Sequence, residues 1–167
     1  HTNLDAAKGG TNDVLAEMIG LKNLTVLSEG CEDGIGIGKI GYFEGDMTLG
    51  MLSVKIKEAL GLDAVRVIGN LSSKVEKAAL CTGAGGEFMD DAVREGCDVF
   101  ITSDIRYHEA MDAVDKKIAL IDATHYATEN IIVPVIAQYL RKKLETRGIK
   151  DVEVIETTVN GQPFVHI

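Results

Sequence analysis

The sequence predicts an α/β protein: a mostly parallel sheet with helices on both faces. Three observations carry that prediction. From residue 75 onward the order reads strand, helix, strand, helix, strand, helix, strand. Right-handed crossovers turn that order into a largely parallel sheet covered on both sides. The strand candidates are short and apolar, and the helix candidates between them are amphipathic. The composition, 46% hydrophobic and 26% charged over 167 residues without a low-complexity tract, is that of a chain able to bury a proper core. We read residues 1–167 as a single α/β domain. Because it opens directly on "HTNLD" with no initiator Met, we also read it as the C-terminal part of a longer protein.

The elements follow in order. "TNDVLAEMIGL" places Val14, Leu15, Met18 and Ile19 at helical spacing, with Thr11 as the cap and Gly20 as the stop. "NLTVLS" is a short strand. "CEDGIGIGKIGYF" alternates Gly with Ile and reads as a loop entering a strand at about 37–43, open to close approach by another backbone. "DMTLGMLSVKIKEALG" is a helix capped near Thr48 and stopped at Gly61. "DAVRVIG" and "EKAALCTG" are strands. "GGEFMDDAVREGC" is a helix ending at Gly96, "DVFITSD" a strand, "RYHEAMDAVDKK" a helix and "IALID" a strand. Pro134 cannot sit deep inside a regular helix, so "PVIAQYLRKKLETRG" begins near it, with a separate turn over 125–130. "DVEVIETT" is a last strand.

Charge and cysteine usage exclude several classes. A formal charge of -9 and a pI near 4.9 repel a phosphate backbone, which argues against non-specific nucleic-acid binding, whereas an acidic site suits cations. Basic residues cluster only in "LRKKLETR", the wet face and C-terminal end of a helix. A nucleic-acid reading would need Lys55, Lys57, Arg141, Lys142, Lys143 and Arg147 to gather on one face. Cys31, Cys81 and Cys97 are far apart, odd in number and without a C-x-x-C, as expected in a reducing, cytoplasmic setting. No apolar run is long enough to span a membrane, and no signal peptide is expected.

Ligands of parallel sheets collect at the carboxyl ends of the strands. The loops there, "CTGAGG", "TSDIRYH" and "DATHYATE", are also those richest in Gly, Asp and His. The sequence has four histidines, and three of them have an acid four residues on: His1 with Asp5, His108 with Asp112, and His125 with Glu129. On a helix such a pair lies on one face and can share a divalent ion. The same spacing also describes an exposed ion pair, and Asp5 also fits a turn ahead of a helix. Asp104 and His108, just past a strand end, are further candidates for contact with substrate. The glycines of "CTGAGG" suit either a phosphate cradle or a tight strand-to-helix turn. Cys81 fits a buried strand end better than a nucleophile.

In order, "HTNLDAAKGGTNDVLAEMIGL", "GIGKIGYF…MTL", "ALCTGAGG", "DVFITSDIRYHEAMDA" and "DATHYATEN…VPVIAQYL" resemble the Nif-three-like dinuclear metal-centre family, whose members are often labelled GTP cyclohydrolase I type two. The resemblance runs from His1 to about Leu144. It implies an α/β fold, a pair of divalent ions (zinc, iron, manganese and magnesium are not distinguished) and homo-oligomers, hexamers built from dimers. Asp5, His125 and Glu129 match the family's metal ligands, and His1 its site-lining histidine. The family's two adjacent upstream histidines have no counterpart in this chain, so its metal site is expected to be incomplete. The implied activity is metal-dependent hydrolysis of a nucleotide-like substrate; for such a reaction we read His1 and His108 as the candidate catalytic groups, either of which would shuttle protons or orient substrate. The alternative is a metal-binding scaffold or protein-interaction module without catalysis.

Overall fold

The computed structural model of the chain describes residues 2–30 and 36–164. Seven helices, α1 (Thr2–Ala6), α2 (Thr11–Ile19), α3 (Leu49–Ala59), α4 (Met89–Arg94), α5 (Tyr107–Lys116), α6 (His125–Asn130) and α7 (Ile132–Thr146), surround six strands among the described residues. The strands are β1 (Lys22–Glu29), β2 (Gly36–Tyr42), β3 (Arg66–Ile68), β4 (Lys77–Leu80), β5 (Val99–Thr102) and β6 (Ala119–Asp122). They form one sheet in the order β1-β2-β4-β5-β6-β3. The centre, β4-β5-β6, is parallel, as the alternation of strands and helices requires. The flanking pairings, β1 with β2, β2 with β4 and β3 with β6, are antiparallel, so the sheet as a whole is mixed.

Side chains alternate across each central strand and build a core on either face. Ala78, Leu80, Val99, Ile101 and Ile121 face α2 and α3, meeting Leu15, Ile19, Leu49, Leu52 and Ile56. Ala79, Phe100 and Leu120 face the other way, toward Met89 and Ala92 of α4 and Ala113 of α5. All four residues of β5 are buried, as a strand covered on both faces must be. Strand β2 comes so close to its neighbours that a Cβ at Gly38, where φ is +72°, would lie 2.7 Å from the Leu80 carbonyl oxygen. The Gly–Ile alternation is thus explained by backbone approach. At the outer edge, the β1–β2 register shifts between Lys22 and Thr25, with Asn23 at φ 55°.

Several boundaries differ from expectation. Helix α2 is capped by Gly10, with Thr11 already helical. Asp5 stands on the short helix α1 instead of a turn. Strand β3 keeps only three residues of "DAVRVIG". Thr48 does cap α3, its Oγ1 accepting from Met51 N at 3.2 Å. Pro134 falls in the first turn of α7, and α6 is the separate turn before it. The last expected strand, "DVEVIETT", does not form. A strand exists only by pairing. This segment runs instead beside α7, where Arg141 donates to Glu156 and to the Val154 carbonyl. No helix among the described residues is long and apolar enough to cross a membrane.

Candidate metal centre

Parallel strands β4, β5 and β6 all end at one rim, and the three loops that leave them meet there. Thr102 Oγ1 accepts from Gly85 N and donates to the Gly83 carbonyl, which also accepts from Ser103 Oγ. Gly83 N donates to Thr128 Oγ1 of α6 at 3.1 Å, and Thr128 Oγ1 donates to the His125 carbonyl. Thr82 N donates to Asn12 Oδ1 at 2.8 Å, and Asn12 Nδ2 donates to the Asp5 carbonyl at 3.0 Å. The buried Asn12 therefore ties the opening helices to the β4 loop. Three amides of "CTGAGG" are spent on protein side chains in this way, so the loop is a braced strand-to-helix turn and not an open phosphate cradle.

A buried carboxylate organises the other side. Asp122, 4% exposed at the end of β6, accepts from Ile105 N and Thr124 N, both at 3.1 Å, and from the Arg66 guanidinium. It thereby fixes the turn that carries Asp104 and the turn that leads into His125. His125 Nδ1 donates to Asp104 Oδ2 at 2.7 Å, and its Nε2 lies 3.1 Å from Glu129 Oε1, one helical turn on. The Asp104 hydrogen bond raises the proton affinity of His125 above its ordinary value; partial burial opposes this and the Glu129 charge adds to it.

With Nδ1 carrying the proton, a neutral ring turns its Nε2 lone pair toward a carboxylate oxygen. Two acceptors at that separation are stable only if the ring is protonated or a cation serves both. An ion roughly 2.1 Å from each donor spans such a bite. A carboxylate on the remote ring nitrogen is the partner that ligating histidines usually keep. A Cβ at Gly83 would come within 2.6 Å of Glu129 Oε1 and 3.3 Å of His125 Nε2, so the donor pair faces a space only glycine leaves open. Donor chemistry and space therefore fit a divalent ion. Asp5 Oδ1 lies 3.5 Å from Thr82 Oγ1, beside the same turn. Yet among the described residues no three His, Cys, Asp or Glu side chains are gathered closely enough to hold an ion by themselves.

Two cavities flank α6. The smaller, about 240 Å³, is lined by both Asp5 and Glu129, so residues from opposite ends of the sequence do meet across one pocket. The larger, about 650 Å³, is lined by Arg66, Asp104, His125, Tyr126, Glu129 and Phe164 among others. His108 is exposed on the first turn of α5 and is not among the residues lining either cavity. His1 lies outside the described residues. Cys81 is buried at the end of β4, and burial, with the charges of Asp5 and Glu87, pushes its thiol up to about 12. Sequence reasoning missed Asn12, Arg66 and Asp122. Their roles rest on contacts across 70 and 56 residues and leave no local motif.

A protein from Streptococcus pneumoniae, named "GTP cyclohydrolase 1 type 2 homolog", is 33% identical over all of this chain, which spans 63% of that relative's length. A Staphylococcus aureus hypothetical protein of solved structure superposes with a TM-score of 0.92 at 27% identity, over 100% of this chain and 67% of its own. A Bacillus cereus protein related to NIF3 gives the same TM-score at 22% identity over 100% of this chain and 72% of its own, a likeness of fold. The family model described as Duf34/NIF3 (NGG1p interacting factor 3) matches residues 1–163, and the chain belongs to that family.

Proposed function

We propose that this chain supplies part of a divalent-metal centre in a cytoplasmic, metal-dependent hydrolase acting on a nucleotide-like substrate. The observation that carries the reading is the His125–Glu129 pair: Nε2 and Oε1 stand 3.1 Å apart, with the remote ring nitrogen held by Asp104. The shared cavity of Asp5 and Glu129 supports adding Asp5 as the third ligand. The name of the Streptococcus pneumoniae relative supports the substrate class.

His125 and Glu129 would hold one ion, with Asp5 approaching from α1. A bound divalent ion, whether zinc, iron, manganese or magnesium, would supply Lewis-acid polarisation and make water nucleophilic near neutral pH. Asp104 keeps the Nδ1 tautomer and aims the ring. Thr128, by bonding both Gly83 and the His125 carbonyl, holds α6 against the β4 loop. His1 and His108 are proposed to move protons or orient substrate on the sequence alone, since His108 lines neither cavity and His1 lies outside the described residues. The proposed homo-oligomer, a dimer or hexamer, has support in α5, where Tyr107, Met111 and Val114 expose an apolar stripe at helical spacing.

Titration calorimetry with Mn²⁺ and Zn²⁺ tests the metal site. Asp104→Asn should weaken binding about 10- to 100-fold, and Glu129→Gln and His125→Ala should each weaken it at least as much. His108→Ala should leave metal affinity unchanged. Metal binding indifferent to both Glu129 and His125 would sink the reading. Hydrolysis of a nucleotide panel by the metal-loaded protein, abolished in the same two variants, separates an enzyme from a scaffold.

A further inference from the structure

We propose that Asn160 is a self-modifying site: the Gly161 backbone nitrogen displaces its side-chain amide, and the isoaspartate formed in its place frees segment 161–164 from the rim of the larger cavity. No metal takes part, so the inference stands apart from the hydrolase reading.

Asn160–Gly161 is the one Asn-Gly step in the sequence. Both residues are exposed, in irregular chain beyond α7 with no ladder or helix to fix their dihedral angles. A backbone nitrogen that attacks the preceding side chain needs that freedom, and glycine puts no Cβ beside the nucleophile. The electrophile is prepared as well. Asn160 Oδ1 accepts from Gln162 N at 2.9 Å. That amide polarises the carbonyl and is placed to stabilise the charge that develops on its oxygen during attack. Asn70 is the natural comparison. It too is exposed, and its Oδ1 accepts from Ser72 N at 3.0 Å, but Leu71 follows it. A branched side chain there hinders approach of the nitrogen.

The chemistry balances with water alone. The Gly161 N–H proton passes to solvent, a bond forms from Gly161 N to Asn160 Cγ, and the Cγ–Nδ2 bond breaks to release ammonia. Water then opens the resulting succinimide at either carbonyl. Cleavage at Cγ gives aspartate. Cleavage at the main-chain carbonyl gives isoaspartate, with the backbone rerouted through Cβ.

Tyr126 sets the pace and registers the result. Gly161 N donates to Tyr126 Oη at 3.3 Å, a long bond that holds the proton the attack must remove. A Cβ at Gly161 would lie 3.2 Å from Tyr126 Cε2, so the glycine that makes the step labile also lets the segment lie on the ring. From there residues 161–164 line the cavity of about 650 Å³. Isoaspartate lengthens the backbone by one methylene immediately before Gly161 and so moves its amide away from Tyr126. The new carboxylate also stands next to a wall that holds Asp104, Asp122 and Glu129 against Arg66 and His125, which repels it.

Peptide mass spectrometry of the full chain, aged at neutral pH, tests this with Asn70 as the reference in the same sample. Asn160 should convert at least about tenfold faster than Asn70, with both isoaspartate and aspartate formed. Gly161→Ala should slow the conversion about tenfold, and Tyr126→Phe, which deletes the acceptor, should speed it about threefold. The isoaspartate form, isolated by chromatography, should lose the proton NMR contact between the Gly161 amide and the Tyr126 ring while melting as the fresh protein does. Conversion of Asn160 no faster than that of Asn70 overturns the self-modification. So does aspartate without isoaspartate, which would mean direct attack by water. Persistence of the Gly161–Tyr126 contact in the isoaspartate form overturns the release.

Discussion

Thr124 is the most strained residue beside the site. It sits at φ 62° and ψ 141°, a combination that a β-branched side chain seldom adopts, and its Oγ1 is buried without a hydrogen-bond partner. The strain is imposed from both sides, by its amide on Asp122 and by its carbonyl at the start of α6. Thr124→Gly removes both the strain of a β-branched residue at positive φ and the orphan hydroxyl. We expect a gain of about 1 kcal/mol in stability after the entropy cost of glycine, seen as a higher urea midpoint at unchanged slope. At this scale the sequence was legible where residue type and spacing coincide. His125 and Glu129 stand four apart on a helix start and could be found. Asp122 read only as the last letter of "IALID", because nothing in a strand's own sequence says that its carboxylate will collect two amides and an arginine from elsewhere.

Among the elements, α5 shows how a helix end can carry pH dependence away from the site. The Glu109 carboxylate accepts from the Arg106 amide at 2.7 Å and from the Arg106 guanidinium. That guanidinium hydrogen bond holds the Glu109 carboxyl below the usual carboxylate range, against its partial burial. The folded-state value is thus depressed relative to the unfolded one near about 4.3. The stabilisation is present above that unfolded value and is lost as pH falls through the lower native value. In Arg106→Ala, the Glu109 carboxyl titration followed by carbon NMR should move to higher pH, and α5 should fray earlier on acidification. No such move would assign the depressed value to another source. Element existence was readable throughout the α/β alternation, since apolar periodicity is local. Strand lengths were not: "DAVRVIG" lost four of its seven residues because only Arg66–Ile68 find β6. "DVEVIETT" has the composition of a strand and no ladder to join.

For the whole molecule, the order of burial sets the order of opening. Val99, Phe100, Leu120 and Ile121 are fully buried, whereas most of the chain beyond α7 is exposed. Amide hydrogen exchange should therefore be slowest in β4, β5 and β6, intermediate in β1 and β2, and fast over residues 150–164. Equal protection of the last segment and the central strands would contradict this account of the core. The meeting of Asp5 with Glu129 also belongs to this scale, because the entire sheet must assemble before their pocket exists. The family resemblance pointed to it; spacing alone could not, with more than a hundred residues of chain between them.

The offset in β1 has a consequence for the molecule in a crowd. A sheet with exposed sides invites a neighbour's backbone to dock and continue it, the first step toward fibrils. Here one flank is broken where Asn23 turns left-handed and the β1–β2 register slips, and the other is only three residues long and begins with a charged arginine. The second flank is too short for another copy to template on, and the slip in the first confines any straight run of unpaired amides to residues 25–29, so an apolar centre of this density can coexist with resistance to aggregation.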